Sequence, residues 1–457
     1  MQKKKVALSG AVIASLLAVS VGCGSKEAAT SPSPSAAATP TPASTAAATP
    51  AATPAGSTDT LKGDFEIQYF VGGYGDAWWK KMVEEFGKLH PNLKIKQSAG
   101  PKINDQMQPR WIQGDPPDVV YIDGAGSNEA QMVKDDQLLD ITDWFKGAKN
   151  ADGKQISDLL IAKPIDYSGK TFTIPLVFGS WGTFYDKAWF KEKGWKTPTD
   201  FQSFMEVSKT IKDAGIKPYI HTGMYPYYIS GGFLDSAIIS ENGGDASILK
   251  KIEALDPTVF SSDPFKKALD KLAQIRDAGF IDPASVGINH TDSQMLFLQH
   301  KDAFIPNGLW VENEMKANIP AGFTFGFIPS IAQDAGKPSV VVPYTSQMAI
   351  AKKSKNPEAA KAFVQYILTE KSAVQWAELA GVPMNLKADL ESSKAGAMAK
   401  DAAKSFNDKN TIVAPVIAVN KDYEKVRNDA LVAFTQKKIT ADEVIKRLVD
   451  VANKAKK

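Results

Sequence analysis

The first regular pattern in the chain is a strand, a helix and a second strand. In "FEIQYFV" apolar side chains recur at every second position, as expected of a strand with one buried face: Phe65, Ile67, Tyr69 and Val71. Apolar residues at helical spacing follow, after Asp76 as a possible N-cap and before Pro91, which blocks continuation. "LKIKQ", residues 93–97, alternates again. A helix between two short strands predicts a βαβ unit whose strands are parallel.

The later chain adds one buried strand and several helices. "PDVVYI", just before Asp123, is continuously apolar, which is typical of a central strand covered on both faces. "NPEAAKAFVQYIL" predicts a helix capped by Asn356, and "TEKSAVQWAELAG" predicts another, from Thr369 to Gly381. "TPTDFQSFMEVSKTIKDAG" and "FKKALDKLAQIRDAG" have the pattern of amphipathic helices. The predicted class is α/β, built on an open sheet.

The N-terminal residues predict export. Lys3, Lys4 and Lys5 precede an apolar run that is short for a membrane span, so residues 1–22 are interpreted as a signal peptide. The single cysteine, Cys23, cannot form an internal disulfide and needs another use. The small residues before it resemble the processing site of bacterial lipoproteins, with Ser20 where that pattern prefers leucine. This resemblance implies lipidation of Cys23.

Residues 23–60 are predicted to be a disordered tether. After Cys23 they consist almost wholly of Ala, Thr, Ser and Pro, with too little apolar bulk to form a core. The signal peptide holds three of the 54 Lys and Arg residues, which leaves 51 basic against 51 acidic residues. That balance gives no indication of nucleic-acid binding. Beyond the signal peptide no apolar run is long enough to span a bilayer.

Several aromatic residues lie in sequence typical of loops. They stand among Gly, Pro, Asn and Asp, whereas aromatics at helical spacing are expected in the core: Tyr74, Trp181, Tyr225, Tyr227, Tyr228 and Trp310. A sugar ring packs its C–H face on an aromatic plane, and nearby carboxylates and amides accept hydrogen bonds from its hydroxyls. The acids and amides beside these loops are Asp76, Asp123, Asn307, Glu312 and Glu314. The pattern favours carbohydrate binding.

Other chemistries have less support in the sequence. "GGYG" lacks the spacing of phosphate-binding loops, and Asp76 at the helix start would repel an anion. The four histidines have no metal-ligand spacing, no GxSxG motif occurs, and no cofactor or metal is expected. A pair of distant carboxylates for glycoside hydrolysis stays open.

The chain after the tether resembles a known family, the lipid-anchored solute-binding proteins of ABC transporters that bind sugars. The resemblance rests on "DAWWKKMVEEFGKLHPNLKIK", "GDPPDVVYIDG", "IPLVFGSWGTFYDKAWFKEKG", "KDAFIPNGLWVENEM" and "NPEAAKAFVQYILTEKSAVQWAELAGVPM", in this order. "GGYG", "MYPYY" and "GLWVENEM" look most like the subgroup that takes up N-acetylglucosamine or chitobiose.

The resemblance implies a two-lobed α/β fold of type II with a hinge between the lobes. Lobe one is expected at residues 61–177 and 341–372, and lobe two at residues 178–340 and 373–457. The resemblance places the ligand in the cleft between them, near the carboxyl ends of the sheet strands. The site residues expected from it are Tyr74, Asp76, Asp123, Trp181, Tyr227, Tyr228, Trp310 and Glu312.

The expected function is that of a carbohydrate receptor, without catalytic residues, that delivers a sugar or oligosaccharide to ABC transporter permease subunits. It would be a monomer held by its lipid at the extracytoplasmic face of the cell membrane. Two alternatives stay open: a secreted, lipid-anchored glycoside hydrolase that uses the same aromatics and acids, and a cell-surface adhesin that binds no small solute. The sequence leaves the sugar and the permease partners open.

Overall fold

A computed structural model describes residues 60–455. The predicted signal peptide, Cys23 and almost all of the predicted tether lie outside this range. The described residues form nine strands: β1 Gly63–Phe70, β2 Leu93–Gly100, β3 Val119–Ile122, β4 Thr173–Asp186, β5 Lys217–Tyr219, β6 Asp302–Gly308, β7 Phe325–Ile328, β8 Ser339–Ile350 and β9 Thr411–Val413.

Helices cover much of the remaining described chain. The α-helices are α1 Ala77–Leu89, α2 Ile103–Gln113, α3 Glu129–Lys134, α4 Thr142–Gly147, α5 Ile156–Leu159, α6 Lys187–Lys193, α7 Phe201–Asp213, α8 Tyr227–Ile229, α9 Asp235–Glu241, α10 Ile248–Glu253, α11 Pro257–Phe260, α12 Asp263–Asp277, α13 His290–Leu298, α14 Val311–Glu314, α15 Pro357–Ile367, α16 Glu370–Ala380, α17 Ala397–Asn407, α18 Lys421–Thr435 and α19 Ala441–Ala455. A π-helix, Ser230–Leu234, joins α8 to α9, and two 3₁₀ turns occur at Pro283–Val286 and Lys316–Asn318.

The strands form one mixed sheet in the order β2-β1-β3-β8-β4-β6-β5, with β7 beside β4 and β9 beside β8. Two long strands, β4 and β8, run antiparallel through its middle, with Thr173 opposite Ala349 at one end and Trp181 opposite Val342 at the other. The second half of β4 also pairs with β6 and β7. These two strands therefore connect the part of the sheet built on β1, β2 and β3 with the part built on β5, β6 and β7.

The predicted βαβ unit is confirmed. β1 pairs with β2 in parallel, from Gly63 opposite Leu93 to Phe70 opposite Gly100. The face of α1 that carries Trp79, Met82 and Phe86 is buried. β3 is buried throughout and lies between β1 and β8, as its continuous apolar sequence predicted.

Helix caps at the sequence-predicted positions are present in the later chain. Asn356 accepts a hydrogen bond from the Ala359 N–H at the start of α15, and Thr369 accepts one from Ser372 at the start of α16. Gly381 ends α16 in the left-handed region, with φ of 78°. The capping role expected of Asp76 is wrong in one respect. Asp76 holds the N-cap position, but its side chain makes no capping hydrogen bond and lies 2.7 Å from Lys80 Nζ.

Two large hydrophobic cores pack against the sheet. Core one surrounds Trp78, Trp79 and Phe363, and core two surrounds Phe204, Phe233 and Leu272. Each core contains residues from distant parts of the chain, and β4 contributes side chains to both. The lobe boundaries given by the resemblance stay a prediction. Among residues 60–455, no helix is long and apolar enough to cross a membrane.

Candidate functional site

A cavity of about 400 Å³ opens beside the β4–β8 pair. Its wall combines the loop after β3, strands β4 and β8, the α8 to α9 segment and the chain that follows β9. The side chains of its wall include those of Asp123, Glu129, Tyr167, Trp181, Tyr227, Asp235, Tyr344, Glu424 and Arg427. The volume lies within the range of pockets that hold small organic ligands.

Aromatic rings from separate segments meet at this cavity. The Trp181 ring contacts those of Tyr227, Tyr344 and Trp310, at centroid distances of 5.9, 5.4 and 5.1 Å. Tyr74, from the turn after β1, lies edge-on to Trp310, and its hydroxyl donates to the Tyr344 hydroxyl at 2.9 Å. Edge-to-face contacts of this kind fix ring orientation. The rings facing the cavity are therefore held in place before any ligand arrives.

Glycines allow three of these rings to approach the backbone closely. A Cβ at Gly231 would lie 2.7 Å from the Trp181 ring, and one at Gly179 would lie 2.1 Å from that of Tyr344. A Cβ at Gly73, in the "GGYG" turn, would lie 3.0 Å from Trp310. The Gly73 carbonyl also accepts a hydrogen bond from the Asn313 amide at 2.7 Å. Because Gly73 has no side chain, Trp310 can pack directly against the backbone of this turn.

A local irregularity shapes the helix beneath Trp181. Ser230–Leu234 is a π-helix between α8 and α9, and it includes Gly231 and Gly232. Such single-turn widenings are frequent at functional sites because they shift the side chains on either side. Here the helix brings Tyr227 to one edge of the Trp181 ring and Gly231 against its face.

Asp123 brings a carboxylate to the cavity wall at the end of β3. Burial raises the pKa of Asp123 to about 6, and hydrogen bonds from the Gly124 N–H and Ser346 lower it only in part. No charged group contributes to this shift, so the ionised carboxylate is not paired with a cation. It can accept hydrogen bonds from the hydroxyl groups of a ligand.

A second acid and an ion pair complete the polar wall. Burial raises the pKa of Glu129, which accepts a hydrogen bond from the Thr173 hydroxyl at 2.6 Å. Arg427 is 6% exposed and lies 3.3 Å from the Asp235 carboxylate. Arg427 already pairs with Asp235, whereas Asp123, Glu129 and Glu424 also lie in the wall. The wall therefore offers a ligand mainly hydrogen-bond acceptors.

The structure brings six of the eight predicted site residues together and leaves two apart. Asp123, Trp181 and Tyr227 line the cavity. Tyr74, Tyr228 and Trp310 lie behind this lining and contact its rings or one another. Asp76 pairs with Lys80 at the start of α1. Glu312 is not in the cavity wall. Burial raises the pKa of its carboxyl, and the charges of Lys187 and Lys316 lower that pKa in part.

Sequence reasoning missed several residues of the wall. Tyr344 lies within β8 and faces the cavity, and its one sequence signal is the preceding Pro343, which is unusual inside a long strand. Tyr167, Glu129 and Arg427 come from segments whose sequence has no distinctive pattern. Within residues 60–455, no group of three or more His, Cys, Asp or Glu side chains is placed to hold a metal ion.

Comparison with solved structures shows the fold. The receptor GacH of Streptomyces glaucescens, solved unliganded and with acarbose, superposes with a TM-score of 0.68 at 19% identity, over 86% of this chain and 98% of that one. The two-lobed, type II binding-protein fold expected from the sequence is thereby confirmed.

Two curated proteins are similar in sequence. The diacetylchitobiose binding protein NgcE of Streptomyces coelicolor is 26% identical over 73% of this chain and 72% of its own length. A multiple sugar-binding protein of Streptococcus mutans is 24% identical over 68% of this chain and 73% of its own. The family model described as bacterial extracellular solute-binding protein matches residues 72–374, more than half of the chain. The protein therefore belongs to the bacterial extracellular solute-binding protein family, whose members act outside the cytoplasm.

Proposed function

We propose that this protein is a carbohydrate receptor that captures a sugar or oligosaccharide in the cavity and delivers it to an ABC importer. One observation carries the proposal. Rings from separate segments, Trp181, Tyr227 and Tyr344, meet at a cavity whose wall also carries the carboxylate of Asp123. Stacking suits the C–H faces of a sugar, and carboxylates suit its hydroxyls.

The polarity of the wall favours an uncharged, hydroxyl-rich ligand over an anionic one. Asp123, Glu129 and Glu424 are acids of the wall, and Arg427 is already paired with Asp235. An anion would meet repulsion without a free cation to compensate. A neutral sugar instead supplies several hydroxyl donors to these acceptors.

Ligand capture would close the cleft by a hinge motion. The cavity wall includes Asp123, which follows β3, and Tyr227, which follows β5, so a ligand contacts both parts of the sheet only when they are close together. A ligand that prefers this arrangement shifts the equilibrium toward it. A transporter can then distinguish loaded from empty receptor by shape.

The sequence relatives support a sugar as the ligand. The Streptomyces coelicolor relative is named for diacetylchitobiose and the Streptococcus mutans relative for multiple sugars. The wall of the cavity in this chain carries groups that suit a saccharide of this kind. We propose a mono- or oligosaccharide, with N-acetylglucosamine oligomers as the first compounds to test.

We further propose that the receptor works as a monomer tethered to the membrane by a lipid on Cys23. The predicted signal peptide, the cysteine and the Ala, Thr, Ser and Pro-rich residues after it support the lipid anchor. Replacing Cys23 with alanine should move the protein from the membrane fraction to the medium. An equal membrane fraction for the variant would contradict the anchor.

The function is tested by a thermal-shift screen of the purified chain against mono- and oligosaccharides, followed by calorimetric titration. A sugar that binds the native state raises its melting temperature, by an amount that grows with concentration. No shift with any saccharide would contradict the proposal. Steady release of cleaved product from the bound oligosaccharide would instead support a glycoside hydrolase.

A further inference from the structure

A second cavity, of about 460 Å³, lies against the first. The two cavities share three wall residues, Ile165, Pro415 and Val416. The two cavities therefore adjoin at these residues, and the second offers space next to a ligand held in the first.

The charged groups in the wall of the second cavity already have partners. Lys163 donates to the Ser157 carbonyl, and Asp166 accepts from the Gly169 N–H at 2.5 Å. Lys250 pairs with Glu253 at 2.7 Å. The Glu253 carboxylate also accepts from the Ala418 N–H, again at 2.7 Å. These groups have less capacity left to bind the hydroxyls of a second sugar ring than the acids of the first cavity have.

Apart from Phe178, the other side chains of the wall are aliphatic, and two of them are partly open to water. Ile161 and Val413 are 39% and 40% exposed. The small apolar residues that follow each of them also line the cavity: Ala162, Pro164, Ala414, Pro415 and Val416. The aromatic residue of this wall, Phe178, is 2% exposed and packs edge-on against Phe406, so it offers no free face for stacking. Covering such a surface with apolar groups is favourable, because it removes hydrocarbon from water.

We propose that the second cavity receives the apolar substituent of a glycoside whose sugar occupies the first cavity. The preferred ligand would then be an alkyl or aryl glycoside. This inference rests on the proposed function, because it takes the sugar position from it. Because the two cavities adjoin at Ile165, Pro415 and Val416, an aglycone that extends from the sugar past these residues would lie in the second cavity.

The test compares methyl, butyl and hexyl β-glycosides of glucose, galactose, N-acetylglucosamine and N,N'-diacetylchitobiose by calorimetric titration below their micelle concentrations. Each methylene that leaves water strengthens binding roughly fourfold, so partial burial of a hexyl chain should give a hexyl-to-methyl affinity ratio of about ten or more. If no hexyl glycoside binds more tightly than its methyl counterpart, the inference is overturned.

Variants assign the effect to this cavity. Val413→Thr replaces a methyl group with a hydroxyl at nearly constant shape, and Ile161→Thr replaces an ethyl group with a hydroxyl. Each should lower the hexyl-to-methyl ratio several-fold. Ile112→Thr is the matched control, since Ile112 is 75% exposed on α2 and lies in neither cavity wall. A ratio that stays high in both cavity variants would also overturn the inference. If underivatised sugars bind but an alkyl chain adds no affinity, the inference about the second cavity fails and the proposed receptor function is kept.

Discussion

The indole rings of Trp181 and Trp310 meet edge to face, with centroids 5.1 Å apart and planes at 86°. Trp310 packs against core one, whereas Trp181 packs against core two. The two residues are more than a hundred positions apart in the sequence, and a contact between them forms only when both cores are in place. Trp181 lines the cavity, and Trp310 supports the lining from behind.

We expect Trp181→Ala to weaken sugar binding at least about tenfold, because a stacked aromatic at the centre of a site commonly contributes more than its area alone. Trp310→Ala should also weaken binding, because it removes a ring that packs against Trp181, and it should lower the melting temperature. Titration of each variant with the sugar found in the screen gives the affinities. Trp144→Ala, a half-buried tryptophan on α4, is the control. Unchanged affinity in Trp181→Ala would remove this ring from the site.

Gly231→Ala is predicted to weaken binding about tenfold, because the added Cβ would lie 2.7 Å from the Trp181 ring and displace it. Gly147→Ala is the matched control, since a Cβ there meets nothing within 4 Å. Near-ultraviolet circular dichroism and titration report ring position and affinity. Wild-type affinity in Gly231→Ala would mean that the ring position tolerates the shift.

Binding should weaken as the pH falls through about 6, where Asp123 takes up a proton. The ionised carboxylate accepts hydrogen bonds from sugar hydroxyls, so protonation competes with the ligand. Affinities measured between pH 5 and 7.5 should fall toward low pH for the wild type and vary less for Asp123→Asn. Asp143→Asn, at a 96% exposed side chain, is the control. An equal pH dependence in Asp123→Asn would assign the effect to another group.

The same shift affects stability in the opposite direction. The pKa of Asp123 is raised in the folded state, so the native protein holds this proton more tightly than the unfolded chain. The stability contributed by this group is full below the unfolded pKa and is lost as the pH rises toward about 6. At pH 7 Asp123→Asn should therefore melt at a higher temperature than the wild type without ligand. A lower melting temperature would contradict the burial of this charge.

Arg427→Met is expected to lower the free energy of unfolding by about 3–5 kcal/mol, since it leaves the Asp235 carboxylate without its cation in a buried site. The double variant Asp235→Asn/Arg427→Met should recover much of this loss. Arg447→Met, which breaks an exposed pair with Glu443, is the control and should change stability by less than about 1 kcal/mol. Urea unfolding of the four proteins gives the comparison. Equal losses in the two single variants would contradict the buried pair.

Local sequence was sufficient to predict much of the secondary structure. The alternation in "FEIQYFV" and the helical spacing after it gave β1, α1 and the parallel β2. Asn356, Thr369 and Gly381 marked helix ends correctly. These features depend on interactions within a few residues, such as a cap side chain with the next turn. For that reason they can be recognised without knowledge of the fold.

The site could be predicted only in part. Loop aromatics and acids indicated a sugar site, and Asp123, Trp181 and Tyr227 do line one cavity. Sequence context could not separate these from Trp310 and Tyr228, which lie behind the lining, or from Glu312, which lies outside it. It also missed Tyr344, because a tyrosine inside a strand is usually part of a core.

The sequence by itself determined the α/β class, the parallel strand pairing around α1 and the kind of side chain available for a ligand. Only the tertiary structure decided which rings share a cavity, and that a second, aliphatic cavity adjoins it. The reason is the antiparallel pairing of β4 with β8. That pairing joins residues more than 150 positions apart, and the register that sets Tyr344 opposite Gly179 depends on packing across the whole sheet.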